Sequence, residues 1–311
     1  MGCSKQNMSI KKAFTTFIYD LQDTICRELM HLDGKGTFRE DLWTRVDGGG
    51  GRTRVLEKGA VFEKAGVNIS EVHGPLPEAV RDRFGVEESW FFACGISLVL
   101  HPMSPMIPTV HANYRYFERY SEPGSEAMDG WFGGGADLTP WYLFEEDARH
   151  FHQTCREACD QFDPALYPPF KQACDTYFWN AHRGESRGVG GIFFDYLRDG
   201  EQGRSLGFWH NMVCACGQAF LPSYLPVVQR RLGEPWGEEE RYFQELRRGR
   251  YAEFNLIHDR GTYFGLKTGG RIDSVFMSLP PRVRWDYEPA RSVDAREEAL
   301  LQVLRRPRAW V

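Results

Sequence analysis

Apolar residues near the start of the chain recur at helical spacing. Phe14, Phe17, Ile18, Leu21, Ile25 and Leu29 form one stripe, with Ser9 placed to cap it. The spacing predicts an amphipathic helix whose stripe is core. The period then shortens to two. Residues 43–46 and 53–56 read as strands around the four glycines at 48–51, which form either a mobile loop that orders over a ligand or a slack connection. Gly74-Pro75-Leu76-Pro77 breaks the chain again. Residues 90–100 are apolar enough for a buried strand, ended by His101-Pro102. Residues 109–118 alternate: Val110, Ala112, Tyr114 and Tyr116 on one face, His111, Asn113, Arg115 and Phe117 on the other. A strand face that carries His, Asn and Arg together is either exposed or lines a polar cavity.

Helical patterns follow at 144–162, with His150 and His152 off a common face, and at 205–232, where Pro222 and Pro226 kink or divide the helix. Between them, residues 173–181 read as an aromatic-rich helix and Ile192-Phe193-Phe194 as a short buried strand closed by Asp195. Residues 250–258 alternate once more, Tyr251, Glu253, Asn255 and Ile257 against Ala252, Phe254, Leu256 and His258. Turns at 259–262 and 269–271 lead to a last strand at 272–277, and residues 297–305 form a short amphipathic helix. Strands, then helices, then strands imply an α+β fold with an antiparallel sheet. No linker or repeat divides the chain, so residues 1–311 are expected to form a single domain.

Composition narrows the function classes. Hydrophobic residues make up 42% and charged residues 26% of the 311, as in a globular protein with a full core. The formal charge of −5 supplies no basic field for nucleic acid, so an anionic ligand must be met by a local arginine cluster. The eight cysteines form no CxxC pair and no run of residues spans a bilayer, which predicts reduced thiols in a cytoplasmic protein. Met1-Gly2-Cys3-Ser4 hints at acylation, but Gln6 occupies the Ser/Thr position of the myristoylation pattern. Aromatic residues, at 14%, are numerous enough to line a cavity for a flat ligand as well as to fill a core.

The densest chemistry lies in residues 171–195. His182, Arg183, Glu185 and Arg187 crowd between two apolar elements, followed by Gly188-Val189-Gly190-Gly191. Such charges are either a solvated loop with an internal Arg–Glu pair or groups that pair with a ligand or with other elements. The segment HRGESRGVGGIFFD resembles the signature of the oxygen-dependent coproporphyrinogen III oxidase family. Ala173 stands where that family usually has Trp, and Tyr196 where a second acid often follows Asp195. Further resemblance runs through ISLVLHPMSPMIPTVHANYRYFE, WFGGGADLTP and RYAEFNLIHDRGTYFGLKTGGRIDSVFMSLPPRVRWDY, so it covers roughly residues 89–287. Met103-Ser104 replaces the basic residue and Asn usual between the prolines. WFGGGADLTP lacks both GxGxxG and GK[ST], so a nucleotide site is not expected there.

The resemblance implies a large, rather flat antiparallel sheet covered by helices on both faces. It also implies oxidative decarboxylation of two propionates of coproporphyrinogen III to vinyl groups, with molecular oxygen as co-substrate and no organic cofactor. A homodimer is expected, from the resemblance and from the apolar C-terminal strands between Tyr251 and Met277, which need cover. Four propionates call for planar cationic forks, and arginine matches a carboxylate bidentately. The implied substrate-binding residues are Ser97, Asn113, Tyr114, Arg115, Arg260, Gly269, Gly270 and Arg271; the catalytic set is His111, Asp137, Asp259 and Arg115. A carboxylate that takes a pyrrole N–H would enrich the ring toward oxygen, and sequence leaves the choice between Asp137 and Asp259 open. His101, His111, His152 and His182 give the alternative of a divalent metal centre, as in a hydrolase or oxygenase. A third reading is a tetrapyrrole-binding protein without catalysis.

Overall fold

A computed structural model of the chain describes residues 9–76, 81, 89–267, 270–287 and 293–311. Helix α1 (Ile10–Asp33) starts where the Ser9 hydroxyl accepts the Lys12 N–H, and it ends at Gly34, whose φ of 70° suits a residue without Cβ. Six strands follow: β1 (Arg39–Thr44), β2 (Gly49–Glu57), β3 (Phe62–Pro75), β4 (Trp90–Pro102), β5 (Thr109–Tyr120) and β6 (Ala127–Thr139). Then come α2 (Glu145–Asp160), α3 (Tyr167–Tyr177), the two-residue strands β7 (Trp179–Asn180) and β8 (Glu185–Ser186), and β9 (Gly190–Arg198). The chain closes with α4 (Leu206–Gln218), α5 (Phe220–Arg231), α6 (Glu238–Ile257), α7 (Arg260–Lys267), α8 (Ile272–Phe276) and α9 (Ala295–Arg305).

One seven-stranded sheet, ordered β1-β2-β3-β4-β5-β6-β9 and antiparallel throughout, organises the molecule. The α+β expectation, with helices on both faces, is met. One face carries Ile96, Leu98, Val110, Ala112, Tyr114, Ile192 and Phe194 against α1, α2, α4 and α5. Each fully buried Ile, Leu, Val or Phe side chain among them contributes about 1.5–3 kcal/mol over its exposed state. On the opposite face α6 and α9 cover one end, where Val99 packs with Tyr142, Phe243, Tyr251, Leu300 and Leu304. Helix α3 wraps the β9 edge, with Phe170 on Phe194 (5.0 Å between ring centroids) and Tyr177 on Phe193 (4.3 Å). That covers an edge that would otherwise offer unpaired backbone groups.

Several sequence expectations change. Gly49, Gly50 and Gly51 pair within β2, so only the turn around Asp47 and Gly48 connects it to β1 and no glycine loop exists there. The strand β3 runs through Gly74 and ends at Pro75, within the expected break, and Pro77 lies outside the described residues. The helix expected over 173–181 is α3, which stops at Tyr177. Residues 250–258 are not a strand; most of them finish α6, whose buried positions Phe243, Arg247, Tyr251 and Phe254 follow a helical stripe. Residues 272–276 are likewise helical. The proposed dimer surface therefore cannot be a C-terminal strand. The breakpoint at Ala219 places Pro222 in the first turn of α5, where its missing N–H breaks no helical bond.

Asp33 ties α1 to the β2–β3 turn. Its buried carboxylate accepts N–H bonds from Gly36 (2.6 Å), Ala60 (2.9 Å), Val61 (2.8 Å) and Phe62 (2.9 Å). Burial pushes the carboxyl up, but those backbone donors outweigh it and hold it below its ordinary value. Asp33→Ala should cost about 2–4 kcal/mol, since it strands several buried donors at once. Because the folded carboxyl is depressed, its contribution is complete above the unfolded value near pH 4 and is lost as pH falls through the folded one. Urea titrations of both proteins at pH 7 and in acid check this: the gap should narrow in acid.

Candidate active site

The strand register lines up three rows of side chains across the second face. The middle row joins Asp41, Thr53, Asn68, Ser97, Asn113, Gly135 and Phe193, one residue from each strand. Seven strands at about 4.8 Å make this row roughly 29 Å long. Beside it lie Ser70, Gly95, Arg115 and Gly133. On its other side lie Gly66, Val99, His111, Asp137 and Gly191. Small and polar residues thus pave the centre of this face, and Ser97, Asn113 and Arg115 remain partly exposed there. The Arg115 guanidinium reaches across Gly133, where a Cβ would come within 2.9 Å of it. It meets Asp195 at 2.9 Å while its side chain stays 40% exposed.

At the covered end sits the most buried ionic group of the site. The Asp137 carboxylate, 1% exposed, accepts the Arg187 guanidinium at 2.7 and 2.8 Å and the His111 Nδ1–H at 2.8 Å. Arg187 also donates to the Asn255 side chain of α6 at 2.7 Å and lies over the Phe178 and Tyr251 rings, 4.1 and 4.6 Å from their centroids. Burial pushes the Asp137 carboxyl up, but the Arg187 charge and the His111 N–H outweigh it and keep it ionised. With Nδ1–H donated to the carboxylate, Nε2 of His111 carries the lone pair. Among the described residues that nitrogen has no hydrogen-bond partner, and the ring is partly exposed.

At the β9 edge, Asp259 caps α7. Its carboxylate accepts the Thr262 N–H (2.7 Å), the Thr262 hydroxyl (2.9 Å) and the Tyr177 hydroxyl (2.8 Å). Burial raises its carboxyl, and those donors more than reverse the effect. The turn expected at 259–262 follows a helix and not a strand, so Asp259 stands at the α6–α7 junction. Arg260 next to it spreads its guanidinium over the Tyr177 and Phe193 rings, at 4.7 and 5.5 Å. At the far edge Arg271 pairs with Asp41 on β1, and the Gly270 N–H reaches the Gly265 carbonyl at 2.7 Å. Gly269 lies outside the described residues. Arg260 and Arg271 therefore bracket the two ends of the middle row, and the Arg115 guanidinium reaches from the row beside it toward the β9 end.

Other expected residues fall elsewhere. Tyr114 points into the helix-covered core, 1% exposed, and donates to the Cys216 carbonyl at 3.0 Å. The odd–even alternation of β5 forces this, because Tyr114 lies between Asn113 and Arg115. The four histidines do not converge, and among the described residues no three His, Cys, Asp or Glu side chains form a possible metal site. His101 is buried between the Thr109 hydroxyl (3.1 Å) and the Ser278 carbonyl (2.9 Å). His152 is buried between the Tyr167 hydroxyl (2.8 Å) and the Val189 carbonyl (3.0 Å), and burial brings it down to about 3. In each, one nitrogen donates and the other accepts, so neither ring keeps a lone pair for a cation. His182 bonds His258 at 3.0 Å and Glu253 at 2.9 Å. The residues present do not fit a shared metal centre.

The charges of the central motif pair outward, mostly with α6: Arg183 with Glu253 (2.7 Å), Glu185 with Arg247 (2.8 Å) and Arg187 with Asp137 and Asn255. The internal Arg–Glu pair does not form. Sequence reasoning passed over Tyr177, Phe193 and Asp195 as site residues. Their signal was available, since Phe193 and Asp195 follow the period-two pattern of a strand whose alternate residues Ile192 and Phe194 are core.

Arginines thus border a broad, partly open sheet face that also carries a histidine backed by a buried acid. The sequence model of the family described as Coproporphyrinogen III oxidase matches residues 13–310, and the chain belongs to that family. It is 48% identical to the oxygen-dependent coproporphyrinogen-III oxidase, chloroplastic, of Glycine max, over 99% of this chain and 81% of that protein. It is 46% identical to the oxygen-dependent coproporphyrinogen-III oxidase of Prochlorococcus marinus, over 100% of this chain and 95% of that one. Coproporphyrinogen-III oxidase 1, chloroplastic, of Arabidopsis thaliana is 46% identical over 99% and 81%.

Removing one partner of the Asp137–Arg187 pair leaves a buried charge uncompensated. Arg187→Met should lower stability by about 3–5 kcal/mol. The double variant Arg187→Met, Asp137→Leu should recover part of that loss. Equilibrium urea unfolding of the three proteins makes the comparison, and an undisturbed Arg187→Met protein would show the pair to be energetically idle.

Proposed function

We propose that this chain carries out the oxygen-dependent oxidative decarboxylation of two propionates of coproporphyrinogen III, giving protoporphyrinogen IX. The observation that carries this reading is the paved sheet face with Arg271 at its β1 end and Arg115 and Arg260 toward its β9 end. The face is long enough for a macrocycle, and its guanidiniums are spread as peripheral carboxylates are. Each arm, –CH2–CH2–COO⁻, yields vinyl, carbon dioxide, one proton and two electrons. Oxygen takes those electrons with two protons and leaves as hydrogen peroxide. The reaction thus balances with oxygen as the sole oxidant.

In this reading Arg115 and Arg260 hold propionates, with Ser97 and Asn113 as neutral donors between them. Asp137 fixes the tautomer and direction of His111, whose Nε2 moves a proton at the reacting arm. Asp259 acts through its neighbours, setting the start of α7 and so the place of Arg260. The described cysteines are free thiols, which suits a reducing compartment such as the cytoplasm. No helix among the described residues is long and apolar enough to cross a membrane. Exposed Leu256, Ile257, Tyr263 and Ile272 support a homodimer formed through the α6–α8 region. A single monomeric species in sedimentation would refute that assembly.

Purified protein treated with a chelator should convert coproporphyrinogen III to protoporphyrinogen IX, with two oxygen molecules consumed per tetrapyrrole. Absence of product from folded protein would refute the activity, and restoration only by added metal would refute the cofactor-free mechanism. Within the same assay, Arg115→Ala should raise the KM about tenfold or more, the loss of one charge-assisted carboxylate contact. Its melting temperature should stay close to the parent's, because Arg115 lies on the open face.

A further inference from the structure

The strand β9 is interrupted where it passes Gly133. Its pairing with β6 shifts register between Phe132 and Gly134. At the same place Tyr196 adopts a φ of 56°, in the left-handed region that residues with a side chain seldom occupy. Such strain persists only where surrounding structure enforces it, and it concentrates at functional sites. The bulge swings Asp195 over Gly133, whose missing Cβ would stand 2.6 Å from an Asp195 oxygen. Substituting Gly133 would close that space.

Three acids stand toward the β9 side of the site, apart from Asp41 at the β1 end, and they differ in how far their oxygens are already engaged. Asp137 is saturated by Arg187 and His111, and Asp259 by Thr262 and Tyr177. Among the described residues, Asp195 receives only the Arg115 guanidinium at 2.9 Å and the backbone N–H of Tyr196 at 3.1 Å. Its side chain is still 14% exposed. It therefore occupies the fork that an incoming carboxylate needs, on the open face rather than beneath it.

We propose that Asp195 is an exchange carboxylate and a further catalytic residue. In the empty site it holds Arg115 over Gly133. A substrate propionate then takes the fork, and the released Asp195 oxygens accept pyrrole N–H bonds from the macrocycle above. No bond of the substrate is made or broken in this exchange. The acceptor leaves the ring richer in electrons for its reaction with oxygen. This deepens the reading of the site as a coproporphyrinogen surface and depends on it.

Asp195→Asn keeps the shape, frees Arg115 and removes the anionic acceptor. Binding is measured by fluorescence titration with coproporphyrin III, the unreactive oxidised macrocycle with the same four propionates. The dissociation constant should fall about two- to fivefold, because a partly exposed ion pair no longer competes. Single-turnover decarboxylation should fall about 10²-fold, the range for loss of a positioned acid or base. Melting curves show whether the variant is folded. If it is not, Asp195→Glu, which keeps the charge but displaces it, should bind normally and turn over more slowly. Parent-like turnover in a folded variant, or weakened binding, overturns the proposal. A parent protein that fails to turn over the substrate defeats the functional reading instead.

Discussion

The site rests on one buried ion pair. Asp137 comes from β6, Arg187 from the turn that leads into β9, and Asn255, which shares that guanidinium, from α6. A carboxylate and a guanidinium this far from water are tolerated only when each nearly saturates the other. That requirement ties the sheet, the central motif and the C-terminal helices together at one point. It also fixes His111, because the carboxylate that meets Arg187 accepts the imidazole N–H as well. Packing sets the position of α6, and the position of α6 sets which end of the sheet face is covered. Helix α8 and Met277 cover Thr53 and Gly66 toward the other end, and between the two covered ends Ser97, Asn113 and Arg115 stay partly exposed.

The two faces of the sheet show how one strand serves two purposes. Along β5, every second residue enters the core beneath α1 and its neighbours, and the residues between them form the floor of the site. Substitutions on the core face would be felt as lost stability, and those on the floor as lost binding. The floor is made of glycines and short polar side chains, which keeps it low enough for a broad planar ligand. Its arginines sit where helices and strand ends bring them. Arg115 comes from the sheet itself, Arg260 from the start of α7 and Arg271 from the start of α8.

Much of this was legible in the sequence where a pattern was long and local. The stripe from Phe14 to Leu29 and its Ser9 cap named α1, and the alternation of residues 109–118 separated the two faces of β5 correctly. Residues 250–258 misled because nine residues that include Tyr251, Glu253 and Asn255 satisfy period two. The helical stripe needs Arg247 and Phe243, one and two turns before Tyr251, to become visible. β6 was not legible as a strand because Gly133, Gly134 and Gly135 have no propensity for one; cross-strand pairing imposes it. The pairing of Arg183 with Glu253, instead of with nearby Glu185, joins residues 70 positions apart and leaves no local trace. The histidines were grouped by motif, but His101 and His152 are absorbed by hydrogen bonds on separate elements.

In the proposed function the tetrapyrrole lies on the second face of the sheet, between Arg260 and Arg271. A crystal structure of the protein with coproporphyrin III tests it directly. The account predicts the macrocycle over Gly95 and Gly133, with one carboxylate on Arg115 and another on Arg260. A macrocycle bound anywhere that leaves Arg115 paired only to Asp195 would contradict it.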